Sequence, residues 1–432
     1  MRILSITAGA AGMYCGSCFR DNALAAELLK RGHDAHLVPV YTPTRTDEPN
    51  VSERRVLFGG ISVYLQQSWP LFRRLPRFLD RVWDAPGVIG AFANRAVSST
   101  DPKLLGELTV ATLEGTSGVL AREFDKLIEW TRDEPPPDVI NLPNSLLIAL
   151  AAPLRAAFSR PVCCTLQGEE LFIDGLLPPY RERVLDLIRG NVSHVDRFIA
   201  VSDYEKEFMA DLLDIKPDRV SVVPLGINVT GYATAAQRDD VFRVGYFARV
   251  APEKGLHVLA DAYLRFRRRL PPTAQVRCEA AGYMSPSFQS YLDSVKAAFT
   301  AGGYGEEFTY RGTLDRGEKI NFLRRLDLLS VPATYGEPKG IFLLEAMACG
   351  VPVVQPRRGA FIEVVERTGG GVLVEPGDPE SLAEAMFQLW SDRPRLEALG
   401  KRAFAEVRAH YSIERSVDRL LEVYRGMAGA HA

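Results

Sequence analysis

Nowhere in the 432 residues do apolar side chains run for the roughly 20 consecutive positions that crossing a bilayer requires, so no membrane-spanning helix is expected. Cysteine is scarce as well. Six thiols scattered over this length do not resemble the dense framework of a secreted disulfide protein, and a reducing cytosol fits them best. Neither sign of charge is in excess: Lys+Arg 52 against Asp+Glu 54 leaves a formal net charge of −2. The chain as a whole therefore exerts no pull on nucleic acid, and any anion site has to be local. Of the few histidines, His194, His257 and His410 stand alone without metal-ligand spacing, so surface or satisfied core positions are expected for them and no metal site.

What is present is an ordinary globular composition, 47% apolar and 25% charged, on a chain too long for one comfortable core. The run from Met1 to Thr7 is broken by Gly9 too early to serve as a signal peptide and is expected to be a buried strand. A glycine-rich turn follows (Gly9, Gly12, Gly16), then helical spacing from Asn22 that stops at Gly32, then a second strand from Ala35. Strand, turn, helix, strand is a βαβ unit and implies a parallel sheet with its ligand edge at the strand C-termini. Residues 41–137 interrupt the alternation, and short buried strands resume near Val139, Val162 and Phe198.

A small, polar stretch from Asn228 to Asp240 has the composition of a linker. The alternation then restarts with strands near Phe242, Gln275, Val351 and Gly371. The expected fold class is α/β, with an N-terminal domain over residues 1–227 and a C-terminal domain over 240–411. The closing helix, over residues 412–428, carries Val417, Leu420, Leu421 and Tyr424 at amphipathic spacing and is expected to pack back on the first domain.

The segment from Tyr335 to Val354 is the most informative. Gly336, Pro338 and Gly340 punctuate a loop, and a short helix follows over about 341–349. Free backbone N–H groups around Gly340, Ile341 and Phe342, at the positive end of that helix, form a ready site for an anion or a sugar oxygen. Glu337 precedes the helix and Glu345 lies just over one turn inside it, so the two carboxylates reach different parts of one ligand; carboxylates suit sugar and ribose diols. Arg249 and Lys254, in the loop between a strand and a helix, can together neutralise most of a diphosphate without a metal. The blander readings are acids that only answer a helix dipole and loop charges that are merely solvated.

These residues, together with Phe198 to Ser202 and Val222 to Asn228, resemble glycosyltransferase family 4. The resemblance covers nearly the whole chain, most weakly over residues 41–137. It implies a GT-B fold, two Rossmann-like domains with parallel sheets facing a central cleft, and a retaining transfer of a hexosyl group from a nucleotide-diphosphate sugar to an unidentified acceptor. It implies that Arg249 and Lys254 hold the diphosphate, Glu345 the ribose hydroxyls and Glu337 a hydroxyl of the transferred sugar. Backbone at Gly340, Ile341 and Phe342 would take the remaining sugar oxygens, Gly312 and Thr313 would lie against the base, and Gly12 would approach the donor phosphate from the first domain. The sugar donor is a substrate, and no cofactor is implied. The chain contains no Asp-x-Asp pair, the manganese-binding device of the other large glycosyltransferase fold. Gln167 stands where many members of the family carry a histidine, and an amide cannot exchange a proton near neutral pH. Rival readings are a nucleotide-sugar epimerase of the same architecture and a non-catalytic binder of nucleotide sugars or glycans.

Two further signals compete with ordinary explanations. Cys15 and Cys18 form a Cys-x-x-Cys at a helix start, where thiol redox chemistry or, with Cys163 and Cys164, a zinc cluster is conceivable; a lone pair without a second matched spacing is a weak signal, and plain thiols near an acceptor pocket are the preferred reading. Residues 69–83 mix aromatic and basic side chains as a helix lying on an anionic membrane does, although Pro76 interrupts them and a loop lining the acceptor cleft has the same composition. The expected location is cytoplasmic; on the membrane reading of that segment the contact is with the inner face.

Overall fold

The computed structural model describes residues 1–9, 16–44, 46–53, 56, 102–132, 134–234 and 239–430. They form two compact units, one of Met1–Pro224 with Ser416–Ala432, the other of Leu225–Arg415. In the first, β1 (Arg2–Thr7), β2 (Asp34–Pro39), β3 (Val139–Leu142), β4 (Val162–Leu166), β5 (Arg197–Ala200) and β6 (Val220–Val222) build one sheet in the order β2-β1-β3-β4-β5-β6. All of its pairings are parallel. Strands such as β3 and β4 are buried along their whole length, which is why they read as unbroken apolar runs rather than alternating ones.

The second unit repeats the plan with β7 (Phe242–Phe247), β8 (Val276–Ala281), β9 (Phe308–Tyr310), β10 (Leu328–Leu329), β11 (Val353–Pro356) and β12 (Gly371–Val374), ordered β12-β11-β10-β7-β8-β9 and again parallel throughout. Strands are added outward from β7 toward β9, and the chain then returns to the other side of β7 with β10. The order thus reverses between β7 and β10. A crevice opens at such a point.

Four expectations need correction. Residues 41–137 are not irregular throughout, for helices span Pro102–Leu113 and Ala121–Thr131, the latter burying Phe124, Leu127 and Trp130 at helical spacing. The first helix covers Gly16–Lys30 and so begins before Asn22, where polar residues at the start masked its spacing. The strand near Val351 starts at Val353, after Gly350 and Pro352 have made the turn. The polar stretch after Asn228 is no mere linker: Ile227 forms a parallel bridge with Ser412, and Tyr232 is buried in the second core. The closing helix runs Ile413–Ala430, with Val417, Leu420, Leu421 and Tyr424 buried and Arg31 Nη1 donating to Asp418 Oδ1 at 2.6 Å.

Candidate active site in the second unit

The loop after β7 carries Arg249 and Lys254, and the loop after β10 carries Tyr335 and Glu337; strand order makes the two loops neighbours. Backbone ties them together, Thr334 N–H donating to Glu253 O at 2.9 Å. Gly255 turns the first loop into the helix Leu256–Arg268 with φ +75°, a left-handed conformation in which a Cβ would lie 1.9 Å from Pro332 O. Gly255→Ala is therefore expected to cost at least about 2 kcal/mol and to push the two loops apart. Urea denaturation checks this; a midpoint within error of the parent's would remove Gly255 from the argument.

Lys254 Nζ donates to Tyr335 Oη at 2.6 Å and pairs with Glu337 Oε2, and Tyr335 O–H donates to the same Oε2 at 2.5 Å. The ammonium also lies over the rings of Tyr335 and Phe342, at 5.0 and 5.7 Å from their centres. Glu337 is 4% exposed. Burial alone raises its pKa, but the Lys254 charge and hydrogen bond, the Tyr335 hydroxyl and the Lys339 charge outweigh it and hold the carboxyl at about 2. Its other oxygen, Oε1, accepts long bonds of 3.4 Å from the N–H groups of Lys339 and Gly340.

Gly340, with φ +64°, caps the helix Ile341–Ala348. The N–H groups of Ile341 and Phe342 donate to no acceptor among the described residues, as expected for the first turn of a helix. Glu345, one turn further in, is buried and accepts from Lys319 Nζ at 2.6 Å and Tyr232 O–H at 3.0 Å. Arg249 is about half exposed and pairs with Glu253 Oε1 at 2.5 Å. Gly312, with φ +75°, accepts from Gly282 N–H at 2.9 Å, and Thr313 is exposed beside it, ahead of the Asp315 cap of the helix Arg316–Arg324.

The structure thus joins Lys254, Glu337 and the Gly340–Phe342 turn directly, and leaves Arg249 on its own loop partner. It adds Tyr335, Lys319 and Tyr232, to which the sequence reading assigned no role. Tyr335 lay inside the informative segment, but nothing in a sequence says that its hydroxyl meets a lysine 81 positions away.

In the first unit Gln167 directly follows β4, its Nε2 donating to Pro143 O at 2.7 Å and its backbone N–H to Glu169 Oε2 at 2.8 Å, while its buried Oε1 accepts no hydrogen bond from the described residues. Cys18, Cys163 and Cys164 are buried, the last two with pKa values pushed up by burial. Among the described residues no group of three or more His, Cys, Asp or Glu could hold a metal ion, and no helix is long and apolar enough to cross a membrane. Gly12, Cys15 and residues 69–83 lie outside the described residues.

The family model "Glycosyl transferases group 1" matches residues 234–406, and the model "Glycosyltransferase Family 4" matches residues 108–230, so that together they cover most of the chain. The chain belongs to glycosyltransferase family 4. Curated relatives include the D-inositol 3-phosphate glycosyltransferase of Stackebrandtia nassauensis, 29% identical over 246 residues, or 54% of each protein. Another is D-inositol 3-phosphate glycosyltransferase 1 of Catenulispora acidiphila, 30% identical over 265 residues, or 58% of this chain and 62% of that one. The chain spans about half the length of the first of these relatives. Among solved structures, sucrose-phosphate synthase of Thermosynechococcus elongatus superposes with a TM-score of 0.71 at 18% identity over 100% of both chains. HepE of Anabaena, solved in complex with UDP and glucose, superposes with 0.67 at 19% identity over 99% of this chain and 100% of its own. Both share the GT-B fold with this chain.

Proposed function

We propose that this family 4 chain transfers a hexosyl group from a nucleotide-diphosphate sugar to an acceptor, with retention at the anomeric carbon and without a metal ion. The observation that carries the reading is the meeting of Lys254, Tyr335 and Glu337 beside the uncommitted N–H groups of Ile341 and Phe342. A departing diphosphate needs its charge met where it forms, and an ammonium and a helix N-terminus held in place beforehand do this without reorganisation. Arg249, on the same loop as Lys254, adds a second cation once it leaves Glu253.

Glu337 Oε1, held only by long bonds, exchanges them for a hydroxyl of the transferred sugar, while Oε2 stays on Lys254. Glu345 takes the ribose, and Gly312 and Thr313 face the base. On the acceptor side Gln167 offers Oε1 as an acceptor and no titrating base. In a retaining transfer the leaving diphosphate itself takes the acceptor proton on the face where the new bond forms, so positioning and charge stabilisation supply the catalysis. UDP, which HepE binds, is the first nucleotide to test. Cys15 and Cys18 have no part in the chemistry.

The test is a thermal-shift panel with UDP, GDP and ADP, followed by the anomeric configuration of the product by NMR with and without EDTA. An inverted product, or activity lost to EDTA and restored by manganese, overturns the mechanism; conversion of donor alone to an epimer overturns the reaction class. Arg249→Ala is expected to weaken binding of the stabilising nucleotide on the order of 10–100-fold, the loss of one charge-assisted contact. Stability should change little, because its partner pair is exposed. Calorimetry showing undiminished affinity would take Arg249 out of the site.

A further inference from the structure

Lys319 is 4% exposed, an uncommon place for an ammonium. It sits on the helix Arg316–Arg324 and donates to Glu345 on a different helix, Ile341–Ala348. Tyr232, 5% exposed and from the segment that leads into the second unit, donates to the same carboxylate. Both bonds fall on one oxygen, Oε1, and among the described residues Oε2 takes none. Tyr232 is itself held. One helical turn before Lys319, the guanidinium of Arg316 lies 5.3 Å from the centre of its ring and donates to Asn228 O and Thr230 O, at 3.1 Å each.

A buried ion pair has little advantage for stability over apolar side chains of the same volume, since desolvation consumes most of the attraction. What this triad supplies is a carboxylate fixed in orientation from two directions, with a single oxygen left over. We propose that Lys319 and Tyr232 are positioning residues that clamp Glu345 by Oε1, so that the nucleotide site recognises the ribose through Oε2 alone. One ribose hydroxyl then carries the recognition and the other contributes little, in contrast to a carboxylate that grips both hydroxyls of a diol with both oxygens. The inference rests on the reading that Glu345 faces the ribose.

The experiment is calorimetric titration of the full chain with whichever of UDP, GDP and ADP gives the largest thermal shift, together with its 2′-deoxy, 3′-deoxy and 2′,3′-dideoxy forms. The ratio of affinities for the ribo and dideoxy forms is an internal control, because a variant that only loosens the fold weakens both ligands alike. In the parent chain, removal of one hydroxyl is expected to cost as much as removal of both, on the order of 10-fold, and removal of the other almost nothing. Lys319→Met and Tyr232→Phe are expected to shrink the ribo-to-dideoxy ratio severalfold, with dideoxy affinity unchanged; Tyr232→Phe keeps the buried ion pair and carries the test if Lys319→Met does not fold. A ratio that Glu345→Gln leaves intact, or no binding of any of the three nucleotides, overturns the ribose reading and the inference with it. A ratio that falls in Glu345→Gln but stays at the parent value in Tyr232→Phe, or equal losses from the two single deoxy forms, overturns the clamp alone.

Discussion

Lys254→Ala is expected to lower the rate of transfer by on the order of 100-fold or more and to destabilise the second unit by about 3–5 kcal/mol. The two effects have one origin. Lys254 and Glu337 have side chains 13% and 5% exposed, so removal of the ammonium leaves a buried carboxylate without its ion-pair partner, answered by the Tyr335 hydroxyl, two long backbone bonds and the more distant Lys339 charge. The same removal takes away the charge proposed to meet the departing diphosphate. A double variant separates them: Lys254→Ala with Glu337→Gln should recover most of the stability, because the unpaired charge has gone, and should recover none of the rate. Urea unfolding and initial rates measured on the single and double variants decide the matter. A single variant that keeps its rate would show that Lys254 is a structural cation, and the phosphate assignment would fall.

Glu337→Gln is expected to remove a pH dependence that the parent chain possesses. The carboxyl titrates at about 2 in the folded chain against an ordinary 4.5, so the unfolded chain binds the proton more readily. Its contribution is complete above pH 4.5 and disappears as pH falls through about 2, amounting to about 3 kcal/mol at neutral pH. The difference in unfolding free energy between parent and variant should therefore be largest at neutral pH and shrink steadily between pH 4.5 and 2. A difference that stays constant over that window would mean that Lys254 does not hold the carboxyl ionised. The variant is expected to slow the chemical step more than it weakens nucleotide binding, since it misplaces the sugar and leaves the ribose contacts alone.

The architecture was legible in the chain because parallel strands buried on both faces leave continuous apolar runs, as at Val162–Leu166. The helix Ala121–Thr131 was just as legible, its apolar residues recurring at helical spacing, but it lay in a stretch taken as irregular. In the candidate site, Glu337, Gly340 and Glu345 announce themselves through local punctuation: glycines and a proline around a short apolar helix. Lys319 gave no such sign. It stands among the charged residues of Arg316–Arg324, and only packing shows that its ammonium is turned inward to Glu345. Tyr232 was hidden in the same way, within a polar stretch that looked like a linker.

The sequence by itself determined the alternation of strand and helix, its restart in a second unit, and the family, since each depends on periodicity and on residues close together along the chain. Only the tertiary structure decided that Lys254 is paired with Glu337 and Tyr335, that Arg249 answers Glu253, and that Glu345 is gripped through one oxygen. Partners such as Lys254 and Glu337 lie 83 residues apart and meet because β10 returns to the open side of β7. Whether a buried lysine then faces a carboxylate or a ligand is settled by which site meets its charge at least cost in desolvation, and that balance belongs to the packed fold and not to any local stretch of chain.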